Sequence, residues 1–336
     1  MDFLNALVAL LNFVIIPASV YGAQLALGAL GVTLIYGILR FSNFAHGDTM
    51  AFGTAATIMA TWGLQAAGIS LGPLPTALLA LPIGIAVTAL LVLATDKVVY
   101  QFYRQRRSDP VILVIASIGV MFVMNGVTRF LIGVEEIQFD DSARFLINVR
   151  DFREATGLDE GLALRTNQVL TLVTAAICVW VLFWFLNKTR TGKSMRAYSD
   201  NEDLALLSGI NPDRVVRMTW VIASALAVIA GTLYGLDKSF KAFNYFQLLL
   251  PIFAAAIVGG LGSPLGAIAG GFVVAFSEVG VTYAFRKVVG YLGPEGWQPD
   301  SMLQLLSTEY KFAVSFVILI IVLLIKPTGL FRGKSV

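Results

Sequence analysis

The chain has 336 residues, 57% of them hydrophobic and only 13% charged, with a net charge of +3 and a mean hydropathy of +0.79. Soluble domains carry about 25% charged residues, and a globule of this size needs a polar skin that this composition does not supply. Soluble enzymes, nucleic-acid modules, disordered chains and disulfide scaffolds are therefore disfavoured, the last also by a single cysteine, Cys178, and a polytopic membrane protein remains.

Charge-free runs define the elements. No charged residue lies between Asp2 and Arg40, and 47 uncharged residues separate Asp48 from Asp96. About 20 apolar residues cross the hydrocarbon as a helix, so the longest runs each hold two crossings. Their continuity argues against the period-two pattern of a membrane barrel. In chain order the expected segments are 3–16, 20–39, 44–64, 75–95, 111–132, 168–186, 215–236, 248–261, 264–285 and 312–325. The first and eighth are short and read as re-entrant, tilted or interfacial. Pro17 is expected to break the chain after the first, because proline removes a donor and crowds the preceding turn. Asp2 stands where a signal peptide would carry a basic region. The expected fold class is all-α: one polytopic membrane helix bundle over 1–336 with about eight to ten transmembrane segments.

Lysine and arginine accumulate in cytoplasmic loops. The 96–109 loop holds Lys97, Arg104, Arg106 and Arg107, the 187–214 loop holds Lys188, Arg190, Lys193, Arg196 and Arg214, and the tail holds Lys326, Arg332 and Lys334. The 133–167 loop is acidic. Basic loops inside and the acidic loop outside give an alternation without conflict and a cytoplasmic C-terminus. The N-terminus is inside if 3–16 crosses and outside if it does not. Segments two to five and seven to ten then alternate with opposite polarity, a weak inverted repeat of the kind transporters use.

No enzyme constellation is visible. The one histidine, His46, leaves neither a histidine-rich metal site nor a catalytic triad. Glu278 is the one obvious ionisable residue in the middle of a segment, so the energy source is expected on another chain. Thr191-Gly192-Lys193-Ser194 resembles the end of a phosphate-binding loop, but Asn187 stands where the first glycine is required and a membrane helix precedes it. It reads as a basic juxtamembrane loop. Further on, Ser199 and Glu202 have the spacing of a capping box. A two-turn helix over 199–209 would then end at Gly209, with Asn211 and Pro212 starting the next. Leu204 and Leu207 share one face of it, suited to lipid headgroups or to a cytoplasmic motor subunit. Asn43 is placed to cap the helix that follows it, with Asp48 in the first turn. His46 and Gly47 suit a close-packed or pathway-lining bend. Gly259, Gly260 and Gly262 belong to a glycine-rich stretch that permits close helix packing or walls a path.

Asn43-Phe44-Ala45-His46-Gly47-Asp48 resembles a motif of the bacterial branched-chain amino-acid ABC transporter permeases, the LivH-type subunits. Arg196-Ala197 leading to Leu207-Ser208-Gly209-Ile210-Asn211 resembles that family's cytoplasmic loop, and Val258-Gly259-Gly260-Leu261-Gly262-Ser263-Pro264-Leu265-Gly266-Ala267 resembles its glycine-rich stretch, with Glu278 where an acidic residue is usual. Departures are the uncharged N-terminal extension, the long 133–167 loop and the 286–310 insert with Gly293-Pro294-Glu295-Gly296-Trp297. The resemblance implies a permease subunit of an ATP-binding-cassette importer in the bacterial inner membrane, without an ATPase site of its own. Its implied partners are a homologous LivM-like permease, two cytoplasmic ATPases that use ATP and Mg, and a periplasmic solute-binding protein. No nucleic acid and no cofactor held by this chain are implied. Asn43, His46, Gly47, Asp48, Gly259, Gly260, Gly262 and Glu278 are the expected pathway residues. Arg196, Ser199, Glu202, Leu204, Leu207 and Gly209 are the expected coupling residues, in a cytoplasmic segment of about 188–213, with periplasmic loops at about 133–167 and 286–310. Relatives of this type also serve urea, short amides and other small polar solutes, and a self-contained secondary carrier is the remaining alternative.

Overall fold

A computed structural model describes residues 1–292, 303–307 and 310–331. Helix α1 (Asp2–Leu10) runs through a π-helical turn (Leu11–Ile15) into α2 (Ile16–Leu39). Next come α3 (His46–Ala66), α4 (Ala77–Thr95), a second π turn (Asp96–Tyr100), α5 (Gln101–Gln105) and α6 (Pro110–Ile132). An excursion follows with β1 (Phe145–Ile147), α7 (Val149–Thr156) and β2 (Leu164–Arg165), the two short strands pairing antiparallel. Then come α8 (Thr166–Lys188), α9 (Arg190–Asp200), α10 (Glu202–Leu207), α11 (Pro212–Lys238), α12 (Ala242–Gly259), α13 (Pro264–Thr282), α14 (Arg286–Leu292) and α15 (Lys311–Ile325). Gly293-Pro294-Glu295-Gly296-Trp297, Arg332 and Lys334 lie outside the described residues.

The break expected at Pro17 does not occur: Asp2–Leu39 is one helix of 38 residues. A proline inside a helix leaves a carbonyl unpaired and crowds the turn before it. Here the π turn directly before α2 widens the ladder at that point, and the helix passes through. Segments 3–16 and 20–39 are therefore one crossing. The N-terminus lies beside the acidic loop, where Asn5 Nδ2 donates to Asp159 Oδ2 at 3.3 Å and Ala163 N donates to Asn12 Oδ1 at 3.3 Å. The segment expected at 248–261 also differs. It starts six residues earlier, runs as the 18-residue α12 with Pro251 inside, and is long enough to span.

Seven of the described helices are long and apolar enough to cross a membrane. The 21-residue α3 is not among them. It is buried instead, and its threonines are satisfied within the helix: Thr54, Thr57 and Thr61 donate to the carbonyls of Met50, Gly53 and Thr57. Helix α15, with 15 residues, is the short apolar one. The rim of the bundle shows bulky apolar side chains, among them Phe130 on α6 at 90% exposure and Trp180 on α8, as a lipid-facing surface requires.

The inverted repeat is visible in the packing. Helices α2, α3, α4 and α6 correspond to α11, α12, α13 and α15 in their neighbours. α2 crosses α11 at the centre. α3 packs on α11 as α12 packs on α2, and the α4–α11 pair recurs as α13–α2. The α3–α4 and α3–α6 pairs recur as α12–α13 and α12–α15. Small residues make the crossings possible. A Cβ on Gly270 would lie 2.0 Å from Ala255 O, and one on Gly271 would lie 2.7 Å from Ala26 N.

Gly270→Ala should therefore lower the unfolding midpoint of the detergent-purified chain markedly, since overpacking costs roughly 1–3 kcal/mol where backbone cannot yield. Gly119→Ala on α6, with nothing within 4 Å of the added carbon, should leave the midpoint unchanged or slightly higher. Equal effects would show that the α12–α13 crossing is looser than described. Sidedness is tested in a Cys178→Ala background. Ala155→Cys on α7 should react with an impermeant maleimide in intact spheroplasts, and Ser208→Cys after α10 should react only after lysis.

Candidate functional site

Four expected pathway residues gather at the turn from α2 into α3. Arg40 closes α2 in the left-handed region, with φ of 57°. Asn43 does not cap α3 as expected. The N-cap is Ala45, with no side-chain cap, because the Asn43 oxygen already accepts from Ala45 N at 3.2 Å and from the Tyr100 hydroxyl at 3.3 Å. His46 is only 1% exposed and fills the space left by Gly31 of α2, where a Cβ would come within 2.6 Å of its ring. One ring nitrogen engages the Gly28 backbone, while Nε2 has no partner among the described residues. Gly47 sits against α12, where a Cβ would lie 2.8 Å from Tyr245 O. Asp48 lies in the first turn as expected and is fully buried. Its Oδ1 accepts from Asn125 Nδ2 of α6 at 2.6 Å, and Oδ2 has no described partner. The four residues form a packed hub joining α2, α3, α6 and α12, and none borders either of the two cavities considered next.

The first cavity, of about 470 Å³, opens at the basic end of the bundle. Thr33 and Gly37 of α2, Asn187 of α8, Arg196 and Ser199 of the coupling segment, and Ser263 before α13 line it. The structure thus brings the coupling segment and the glycine-rich turn together. Arg40 Nη2 donates to Ser199 O at 2.6 Å, and Arg196 Nη1 donates to Asn187 Oδ1 at 2.9 Å. Gly259 is buried in the α12–α13 crossing. Gly260 and Gly262 take φ of 111° and 84°, conformations that favour glycine. The tail returns here, with Leu330 N and Phe331 N donating to Val258 O and Gly259 O at 2.8 and 2.9 Å.

The coupling segment differs from expectation in two ways. Thr191-Gly192-Lys193-Ser194 is not a loop but part of α9, started by Thr189, whose hydroxyl accepts from Gly192 N at 3.0 Å. Met195 and Tyr198, three residues apart, anchor its buried face. Ser199 therefore lies inside α9 and is not the cap of α10. Asn201 caps α10 by accepting from Leu204 N at 3.0 Å, and Glu202 accepts from the Tyr198 hydroxyl at 2.5 Å. Burial, then the Glu202 contact, hold the Tyr198 phenol above its ordinary pKa. The end of the segment follows expectation: Gly209 has φ of 79°, and Asn211 caps α11 ahead of Pro212. Leu204 and Leu207 are 62% and 86% exposed.

Glu278 stands apart. It is 2% exposed, near the other end of α13, and its Oε1 accepts from the Ser315 hydroxyl of α15. It borders a second cavity, of about 300 Å³, together with Tyr21, Tyr234 and Lys311. Tyr21, beside Glu278, and Gly31, beside His46, are ten residues apart on α2, about 15 Å along the axis, so the two polar pathway candidates sit at different depths. Asn125, Tyr21, Tyr234 and Lys311 were not singled out from sequence. The signal that could have found them was the rarity of polar side chains in such runs. Among the described residues no cluster of three or more His, Cys, Asp or Glu could hold a metal ion.

A family model described as the permease component of branched-chain amino acid transport systems matches residues 14–323. The chain belongs to this permease family. It is 30% identical over 319 residues to the high-affinity branched-chain amino acid transport system permease protein LivH of Escherichia coli, covering 94% of this chain and 93% of that protein. It is 28% identical over 322 residues to LivH of Salmonella typhimurium, with coverages of 94% and 93%. It is 29% identical over 321 residues to BraD of Pseudomonas aeruginosa, a permease protein of the same kind of system, covering 94% of each. The permease is thus a multi-pass membrane subunit of an ABC importer.

The 133–167 loop of the permease is held by Asp141. Its carboxylate accepts from Thr76 N at 2.8 Å, the Thr76 hydroxyl at 2.6 Å and Gln65 Nε2 at 2.9 Å, tying the 133–167 loop to the α3–α4 connection. Partial burial pushes its pKa up, but these hydrogen bonds outweigh it and leave the carboxyl below the usual aspartate range. A depressed folded pKa stabilises above the unfolded value and is lost as pH falls through the folded one. The difference in unfolding midpoint between wild type and Asp141→Asn should therefore be full at pH 6 and shrink only below about pH 4. A pH-independent difference would show that the carboxylate charge is not what holds the loop.

Proposed function

We propose that the permease forms, with a homologous second permease, the path by which branched-chain or other small amino acids, delivered by a periplasmic binding protein, cross the bacterial inner membrane. Two cytoplasmic ATPases drive the cycle with ATP and Mg. This chain holds no cofactor. Its relatives' names support the substrate class, and charge and shape support the division of the two faces. The acidic loop, α7 and the N-terminus form the receiving side, and α9 and α10 form the driven side.

The observation that carries the reading is α10. It is a preformed element capped by Asn201 and stopped by Gly209, at the basic end of the bundle, with Leu204 and Leu207 turned outward. A motor domain needs a stiff element to push. Through α9 the push reaches Arg40, bonded to Ser199 O, and hence α2. Alternating access then follows from rocking one half of the inverted repeat against the other.

Replacing Leu204 and Leu207 together by Asp should remove roughly 1.5–3 kcal/mol of burial per side chain at the docking surface. The expected product inserts normally but loses its ATPase subunits on purification and no longer supports ATP-dependent leucine uptake. ATPases retained at wild-type stoichiometry, with uptake unchanged, would place docking elsewhere.

A further inference from the structure

We propose that the cavity between α2, α11, α13 and α15 at the acidic end of the permease is a binding site for a zwitterionic amino acid, with Glu278 and Tyr21 receiving the α-ammonium and Lys311 the α-carboxylate. This rests on the import reading above and deepens it by giving the permease a substrate site of its own.

The cavity measures about 300 Å³, the lower bound of ordinary small-molecule pockets, and so admits one small solute rather than an oligomer. Its wall carries both signs of charge together with an apolar strip of Phe13, Pro17 and Val279. Glu278 is almost wholly buried. One carboxylate oxygen holds Ser315 and so clamps α13 to α15, but Oε2 has no partner among the described residues. The Tyr21 hydroxyl is buried beside Glu278, the two groups near enough for a hydrogen-bond interaction as well as a charge one, but neither the hydroxyl nor Oε2 completes a bond of good geometry. A buried unpaired acceptor costs free energy that a satisfied one does not. An ammonium has three donors and would satisfy both oxygens at once. The opposite charge is supplied by Lys311. The other acid at the cavity, Asp237, is already engaged by its neighbour Lys238 at 3.2 Å. The apolar strip is where the π turn enters α2, and the widened backbone there makes room beside Phe13 and Pro17, a use for which π turns recur at functional sites. Neither a purely apolar solute nor a simple cation or anion would use all three features.

The test uses the assembled importer in spheroplasts with Thr282→Cys in a Cys178→Ala background. Thr282 borders the cavity, and its hydroxyl bonds its own helix, at Glu278 O, so the substitution is mild. L-Leucine should slow modification of the introduced thiol by a small charged methanethiosulfonate about threefold or more. Isoamylamine, which lacks the carboxylate, and 4-methylpentanoate, which lacks the ammonium, should not. Glu278→Gln keeps an acceptor for Ser315 while removing the charge. It should abolish protection and lower leucine uptake about tenfold, the loss expected for one charge-assisted hydrogen bond. Lys311→Gln, on the cavity wall and outside the Ser315 clamp, should do the same and stands in if Glu278→Gln fails to assemble. Leucine uptake by the importer carrying only the two background substitutions without protection of the introduced thiol, or protection equally good from the one-charge analogues, overturns the site and leaves the import reading intact. A wild-type importer that takes up no branched-chain amino acid overturns the substrate reading, and the site with it.

Discussion

Helices already in lipid gain little by hiding apolar side chains from one another, because the tails around them are equally apolar. The permease therefore depends on the close backbone approach that small residues allow. Gly28 of α2 takes Ile252 of α12, and Gly231 of α11 takes Met50 and Thr54 of α3. These two contacts are counterparts under the inverted repeat. Gly271 meets the backbone of α2 at Ala26, and Gly270 meets that of α12 at Ala255. A larger residue at any of these positions would force the central helices apart. Further contacts are seated on these crossings: His46 occupies space that exists because residue 31 is glycine, and Gly47 brings α3 against Tyr245 of α12. The threonines of α3 serve the same end, since a back-bonded hydroxyl is a small side chain with no unmet polar demand.

The two halves are alike in their helices and unlike in their connections, and the differences fall where the faces must differ. The first half passes to the second through α8, α9 and α10, which have no counterpart among the described residues and hold the whole of the proposed coupling surface. The acidic excursion between α6 and α8 is likewise unrepeated there. It is pinned by Asp141 to the α3–α4 connection, by Ile137 to Phe240 before α12, and by Glu160 to Lys287 and Tyr291 of α14. A symmetric core with asymmetric ends suits the proposed division between a receiving face and a driven face.

Much of this was legible in the sequence because a membrane makes demands that composition must meet. Charge-free runs mark the apolar helices, and the order of the runs matches the repeat seen in the packing. Asn211-Pro212 and Gly209 mark helix ends because their chemistry is local. What was not legible depends on neighbours distant in sequence. Pro17 reads as a break unless the π turn before it is known. Ser199 has the spacing of a cap, but Met195 and Tyr198 draw it into α9, and Asn201 caps α10 instead. The oxygen of Asn43 is claimed by Tyr100, 57 residues away. The company of Glu278 comes from α2, α11 and α15, and no local pattern announces it.

Helices α2 and α13 are placed to connect the two ends. Both border the cavity at the basic end, through Thr33 and Gly37 on one and Pro264 and Leu265 on the other. Both border the cavity at the acidic end, through Tyr21 and Glu278. Between those points they are locked together, with Gly271 against Ala26 and Phe272 against Gly22, so they cannot slide independently without losing backbone contact. On the proposed mechanism a push on α10 reaches α9, then Ser199, then Arg40 at the end of α2, and the locked pair carries it the depth of the membrane. The irregular turn of this long helix is the π turn just before α2, beside Pro17, at the wall of the cavity at the acidic end. A rod that is stiff from Arg40 to Tyr21 and irregular just beyond delivers its displacement at that wall. An amino acid held between Glu278 and Lys311 would there feel the position of the motor subunits without touching them.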